Sequence, residues 1–169
     1  SLKMVSFTIT EKGYNLTRAS GELFPDVQAD LEKGPEAPQN TMAKVVSLAY
    51  TRYQNGKYPI AFVSMDNCSH NGEKLYNAVN TFAEKWIKNG LVDEGFQSYL
   101  KNPKLVSFPW SMIDKITPRP DDSVKEMLLK DGFEDVEGVV TSKNTHIAPF
   151  VNAEETQYLI IEDWFPNGR

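Results

Sequence analysis

The stretch "PIAFVSMDNCSHNGEKL", residues 59–75, joins a near-continuous apolar run, Pro59 to Met65, to a knot of short polar residues, Asp66 to Asn71, and then to the opening of a helix. An apolar run without alternation is the pattern of a strand buried on both faces of a parallel sheet. The helix is predicted from near Gly72 to Asn89-Gly90, because Leu75, Ala78, Val79, Phe82, Trp86 and Ile87 fall on one stripe at helical spacing. The polar knot therefore lies at the carboxyl end of a buried strand and beside a helix amino terminus. In open α/β sheets ligands collect there, where unpaired N–H groups and the positive dipole end are available. Asp, Asn and Ser are also the preferred capping and turn residues, so position alone leaves a binding edge and a structural turn both open.

The flanking sequence repeats the alternation. "MVSFTIT" (4–10) is short and β-branched, as a strand is, and "EKGYNLT" supplies the turn that ends it. Residues 25–40 are rich in Pro, Gly, Asp and Glu and read as a connecting loop with one helical turn around Val27 to Leu31. A helix is predicted over 41–56, capped by Thr41, with Met42, Val45, Val46, Ala49 and Tyr53 on its apolar side and Asn55-Gly56 as its stop. A shorter amphipathic segment occupies 94–102. An extended segment follows over 104–120, in which Pro109 argues against a central strand. A helix over 122–133 is capped by Asp121 or Asp122, and strands are predicted at "GVVTSK" and over 157–165. The whole reads as an α/β fold, a mostly parallel sheet with flanking helices.

Composition narrows the function classes. The 169 residues are 40% hydrophobic, enough for one domain with a core, and 18 Lys and Arg against 23 Asp and Glu give a formal charge of -5 with no basic run. Nucleic-acid and membrane-surface binding are therefore not expected. A single cysteine, Cys68, excludes an internal disulfide framework, and no apolar stretch has the length of a membrane span, so a cytoplasmic protein is expected. Asp66, Cys68, His70 and Glu73 have the chemistry of metal ligands, but one Cys and two His in the chain make a closed zinc site a poor reading, and no metal is assigned. Cys68 reads as a packing residue at a strand end rather than as a nucleophile.

Four segments, "TITEKGY" (8–14), "SMDNCSHNGEKL" (64–75), "VSFPWSMIDKITP" (106–118) and "IEDWFPNGR" (161–169), occur in the order and approximate spacing of the mannitol dehydrogenase family, which the chain resembles along essentially its whole length. This polyol-specific long-chain dehydrogenase/reductase group includes fructuronate and tagaturonate reductases. The resemblance implies the later portion of a Rossmann-like nucleotide-binding domain. It also implies metal-independent chemistry with NAD or NADP, interconverting a sugar alcohol or aldonate with its ketose or keto-uronate.

Residue by residue, the resemblance implies that Asn67, the Asn of the family's D-N-x-x-H-N-G motif, holds the substrate oxygen as negative charge develops on it. It places Asp114 at the cofactor and substrate edge, and Thr10 and Glu11 beside the cofactor. His70 and Asn71 match the motif too and are expected mainly to brace the turn and cap the helix. Trp110 stands where mannitol dehydrogenases usually have Asn, which leaves room for a hexuronate-type substrate or for a plain packing role.

The chain carries no G-x-G-x-x-G phosphate-binding turn, and the family's Lys, Asn and His catalytic motif is not found in it. It is therefore expected to be part of a longer enzyme, inactive by itself, with an unpaired sheet edge and an uncovered apolar face that lead it either to self-associate or to be marginal in stability. The alternative is a self-contained α/β binding or assembly module that uses the same surface for a partner.

Overall fold

The computed structural model describes residues 2–114, 120–142, 144–153, 155 and 157–168, with the backbone but not the side chain of Asp114. The chain divides into two compact units, residues 1–113 with 159–169, and residues 114–158.

The larger unit is built on a three-stranded parallel sheet of β1 (Met4–Phe7), β2 (Ile60–Ser64) and β3 (Val106–Ser107), with β2 in the middle. The register runs from Met4 beside Ala61 to Phe7 beside Ser64, and Ile60 lies beside Val106. Every residue of β2 is buried, which is why its sequence shows no polar alternation. The helices are α1 (Pro25–Lys33), α2 (Thr41–Gln54), α3 (Asn71–Lys88) and α4 (Gly95–Leu100). α3 packs on β2 and against the other three helices. Its Leu75, Val79, Phe82 and Trp86 are fully buried with Met42 of α2 and Phe96 of α4.

α1 exceeds the single turn expected within a loop. Pro25 takes the first helical position, where its missing N–H costs nothing, and Gly34 ends the helix at φ 86°. Contacts distant in sequence explain the difference. Val27 and Leu31 are buried one turn apart, and the Trp86 indole N–H donates to the Asp30 carbonyl at 2.8 Å. The buried Asp30 carboxylate accepts from the Gln39 and Asn40 amides at 2.8 and 2.6 Å, which folds the next loop back onto α1. The cap of α2 also lies one residue earlier than expected, since Asn40 Oδ1 accepts from the Met42 amide at 2.9 Å.

Pro109 separates β3 from β4 (Ser111–Asp114), and β4 forms a two-stranded sheet with β7 (Tyr158–Ile161). β7 is shorter than the strand expected over 157–165. Trp164 lies beyond it, its carbonyl accepting from the Ser107 hydroxyl at 2.6 Å, and the Asn167 amide donates to the Pro59 carbonyl at 2.9 Å. Residues 164–167 are thereby tied to β3 and to the residue that precedes β2.

In the smaller unit, α5 (Asp122–Lys130) is capped by Asp121, whose Oδ1 accepts from the Ser123 amide at 2.9 Å. β5 (Val139–Val140) and β6 (His146–Ile147) form an antiparallel hairpin. The residue pattern predicts one strand at 138–143 and none at His146, because a two-residue strand carries too little pattern to register.

Candidate active site

The carboxyl ends of β1 and β2 meet around Asp66. This carboxylate is buried, and it collects donors from fifty and more residues upstream. The Ile9 amide lies 3.0 Å from both of its oxygens, the Thr10 amide donates to Oδ1 at 2.7 Å, and the Tyr14 hydroxyl donates to Oδ2 at 2.5 Å. Since the Tyr14 proton goes to Asp66, the Ser64 hydroxyl, also 2.5 Å from the phenol oxygen, is left to donate to it. Burial, followed by the bond to Asp66, raises the Tyr14 pKa well above its ordinary value, so the phenol stays a donor at neutral pH.

These bonds hold Thr10 at φ 64° and ψ 160°, a backbone region that essentially only glycine enters. The turn directs the chain from β1 into a 3-10 turn, Glu11–Tyr14. Glu11, exposed at that turn, pairs with Lys74 of α3 at 2.7 Å, and the Lys74 ammonium holds its carboxyl below the usual range.

Asn67, next to the clamped Asp66, is exposed, and among the described residues its side chain has no hydrogen-bond partner. The structure thus presents a free amide at the strand end. The next residues do different work. Cys68 is half-buried against the core, and burial pushes its thiol pKa up, away from nucleophilic thiolate chemistry. His70 adopts the left-handed conformation at φ 56° and makes no side-chain cap. Its ring lies 4.6 Å from that of Trp110, and its Nδ1 is 3.9 Å from Glu73.

Asn71 is 1% exposed and joins three elements. Its Nδ2 lies within 3.0 Å of the Asp66 carbonyl and of the carbonyl and hydroxyl oxygens of Ser111, and its Oδ1 accepts from the Gly72 and Ser111 amides at 2.8 and 3.1 Å. The Ser111 hydroxyl in turn donates to the Ser64 carbonyl. Asn71 therefore braces the turn against β4 and does not simply cap α3. Gly72 permits this approach: a Cβ there would stand 2.4 Å from the Phe108 carbonyl oxygen and 2.7 Å from the Trp110 ring.

Trp110 is partly exposed, with its backbone fixed at both ends by Glu162. Its amide donates to the Glu162 carboxylate at 3.1 Å, and its carbonyl accepts from the Glu162 amide at 2.8 Å. The ring walls an open groove of about 370 Å³ together with Tyr76, Phe108 and Trp164. Asp114 ends β4, and its side chain lies outside the described residues. Among the described residues no three His, Cys, Asp or Glu side chains converge as metal ligands.

The structure thus places Thr10, Glu11, Asn67, His70, Asn71 and Trp110 around the carboxyl ends of the strands and the start of α3. Sequence reasoning missed Asp66, Tyr14, Ser64 and Ser111 as the supporting network. All four lie in the motif segments, which is the one signal in the sequence that points to them.

A parallel sheet flanked by helices, with its polar residues gathered at the carboxyl edge, defines a Rossmann-like nucleotide-binding domain. Residues 2–169 match the Mannitol dehydrogenase Rossmann domain, and the chain belongs to the mannitol dehydrogenase family. It is 56% identical over 169 residues to a D-mannonate oxidoreductase of Thermotoga maritima, covering all of this chain and 31% of that protein. It is 33% identical over 178 residues to a mannitol 2-dehydrogenase of Neosartorya fischeri, covering 99% of this chain and 30% of that protein. Among solved structures, D-sorbitol dehydrogenase in substrate-free form superposes with a TM-score of 0.67 at 27% identity. The Pseudomonas fluorescens mannitol 2-dehydrogenase ternary complex with NAD and D-mannitol gives 0.64 at 28% identity. Each superposition covers 99% of this chain and about a third of the other, 31% and 30% respectively.

Proposed function

We propose that this chain is part of an NAD(P)-dependent oxidoreductase that interconverts an aldonate with its keto-uronate, of the mannonate and fructuronate type. The observation that carries the reading is the 56% identity to a D-mannonate oxidoreductase along the entire chain, against 33% to a mannitol 2-dehydrogenase. Trp110 is exposed at the rim of the site, where a substrate can reach it.

The free amide of Asn67 and the exposed Thr10 stand at the carboxyl ends of two neighbouring parallel strands, where a dinucleotide-binding fold faces the reacting group, and in this respect the residues present fit the cofactor. Bound NAD or NADP supplies the hydride acceptor. Thr10, Glu11 and Asp114 are the residues we assign to holding it. The Asn67 side-chain N–H groups donate to the substrate oxygen as it becomes an alkoxide, and they do so without titrating. Asn71 and Asp66 keep that edge in place from the buried side. We propose the cytoplasm as the compartment; among the described residues no helix is long and apolar enough to cross a membrane.

The test is steady-state kinetics of the full-length protein that carries this chain, with D-mannonate and D-mannitol in parallel, using NAD and NADP. The expected result is a kcat/KM for mannonate at least about 100-fold above that for mannitol, since a site built to pair a carboxylate discriminates strongly against a neutral analogue. Equal or better turnover of mannitol would overturn the assignment.

A second expectation concerns association. Among the described residues β1 lies at an open edge of the parallel sheet, and beside it a groove is lined by Val5, Phe7, Leu48 and Phe62, with Leu48 68% exposed. An unpaired edge beside exposed apolar surface favours pairing with another copy. Light scattering of the 169-residue chain should give a mass that rises with concentration toward a dimer; a constant monomer mass up to millimolar concentration would exclude this.

A further inference from the structure

We infer that Asp66 is a positioning residue for the nicotinamide cofactor, acting through the backbone of Thr10. The inference rests on the oxidoreductase reading above and adds to it a residue that touches neither cofactor nor substrate. Three observations carry it.

The first is the backbone itself. Thr10 is β-branched and sits at φ 64°, ψ 160°, where a side chain is strained, and its hydroxyl makes no capping bond at the turn that would offset the strain. A turn needed only for chain reversal would carry glycine at this position at no steric cost, so the sequence retains a side chain exactly where it is hardest to accommodate.

The second is what holds the strain. The Ile9 and Thr10 amides both converge on the buried Asp66 carboxylate, which the Tyr14 hydroxyl, itself bonded to Ser64, locks from the other side. A carboxylate accepts from the two amides and the Tyr14 hydroxyl at once, whereas an amide side chain would turn one of its two ends into a donor facing an N–H or O–H.

The third is where the held segment lies. β1 and β2 are parallel, with Phe7 beside Ser64, so Thr10 and Asn67 each stand three residues beyond the same rung of the sheet. Both are exposed there. With Thr10 at an ordinary extended φ, the chain would continue along β1 and carry Thr10 and Glu11 past that level and away from the Lys74 pairing. Asp66 thus sets the level and direction in which Thr10 meets a ligand beside Asn67.

The experiment is a double-mutant cycle in the full-length protein, read as the Kd for NADH or NADPH, whichever it binds, by fluorescence, with melting temperature alongside. Asp66→Asn should weaken cofactor binding about tenfold, while in the Thr10→Gly background the same change should cost less than about threefold, because glycine adopts the turn without a clamp. A merely structural Asp66 would lower the melting temperature and leave Kd within a factor of two in both backgrounds, and that result overturns the inference. So does an equal loss in both backgrounds. If Asp66→Asn does not fold, Tyr14→Phe, which removes one donor from the same carboxylate and keeps the ring, takes its place in the cycle. Its expected effect is about threefold, shrinking again with Thr10→Gly, and the same two results overturn the inference. Failure of the unmodified full-length protein to bind either nucleotide would remove the oxidoreductase reading and the inference together. This is distinct from a protein that binds the cofactor and ignores Asp66.

Discussion

Asn67→Ala in the full-length protein should lower kcat about 100- to 1,000-fold, the usual loss when one donor to a developing oxyanion is removed. Cofactor affinity and melting temperature should stay near those of the unmodified protein. The structure supports the stability half of this expectation, and the kinetic half follows from the role proposed for Asn67. The Asn67 side chain is exposed and makes no hydrogen bond among the described residues, so its removal breaks nothing in the fold. An amide that is idle in the resting protein and engaged only as charge develops acts on kcat more than on ground-state binding.

Asn71 is the control. It is buried, and it holds the Ser111 amide and the Asp66 carbonyl. Asn71→Ala would leave those groups unpaired and should cost roughly 2 to 4 kcal/mol of stability. Steady-state kinetics and thermal melting on both variants separate the roles. Loss of stability without loss of turnover at Asn67 would make the residue a turn element and remove it from the site.

Gly72→Ala should be among the most destabilising single-methyl additions in the chain. A new Cβ would stand 2.4 Å from the Phe108 carbonyl oxygen, 2.7 Å from Trp110 Cδ1 and 3.0 Å from the Pro109 carbonyl oxygen. Two of these three neighbours are backbone, so rotation of a side chain cannot relieve the contact. The start of α3 would have to move off the β3–β4 connection, breaking the Asn71–Ser111 bonds. A cost of roughly 3 kcal/mol follows from overpacking of this kind, or a fall of about 10 °C in melting temperature for a domain of this size. Gly90→Ala, at a position with open space around it, is the comparison: its cost comes only from φ 69°. A drop at Gly72 no larger than at Gly90 would show that the close approach does not exist in solution.

Much of the fold was legible because its signals are local. The unbroken apolar run of β2 and the helical stripe from Leu75 to Ile87 are properties of consecutive residues, and burial on both faces or on one face writes them directly into the sequence. They determined the strand, the helix and the placing of the polar knot between them, and the four motif segments determined the family. α1 was read short because its composition is that of a loop. It is a helix because Val27 and Leu31 find the core and because Asp30 meets Trp86, 56 residues away.

The division of labour inside the knot was decided only by tertiary structure. Asp66, Asn67 and Asn71 are all short, polar and common in turns, and nothing in their spacing says which is buried and which is free. That depends on the register that places Phe7 beside Ser64, bringing the Ile9 and Thr10 amides onto Asp66, and on the fold that brings Ser111 to Asn71. Partners forty to fifty-seven residues apart leave no periodicity for a sequence reading to detect, because a long-range hydrogen bond constrains one residue at each end and nothing in between.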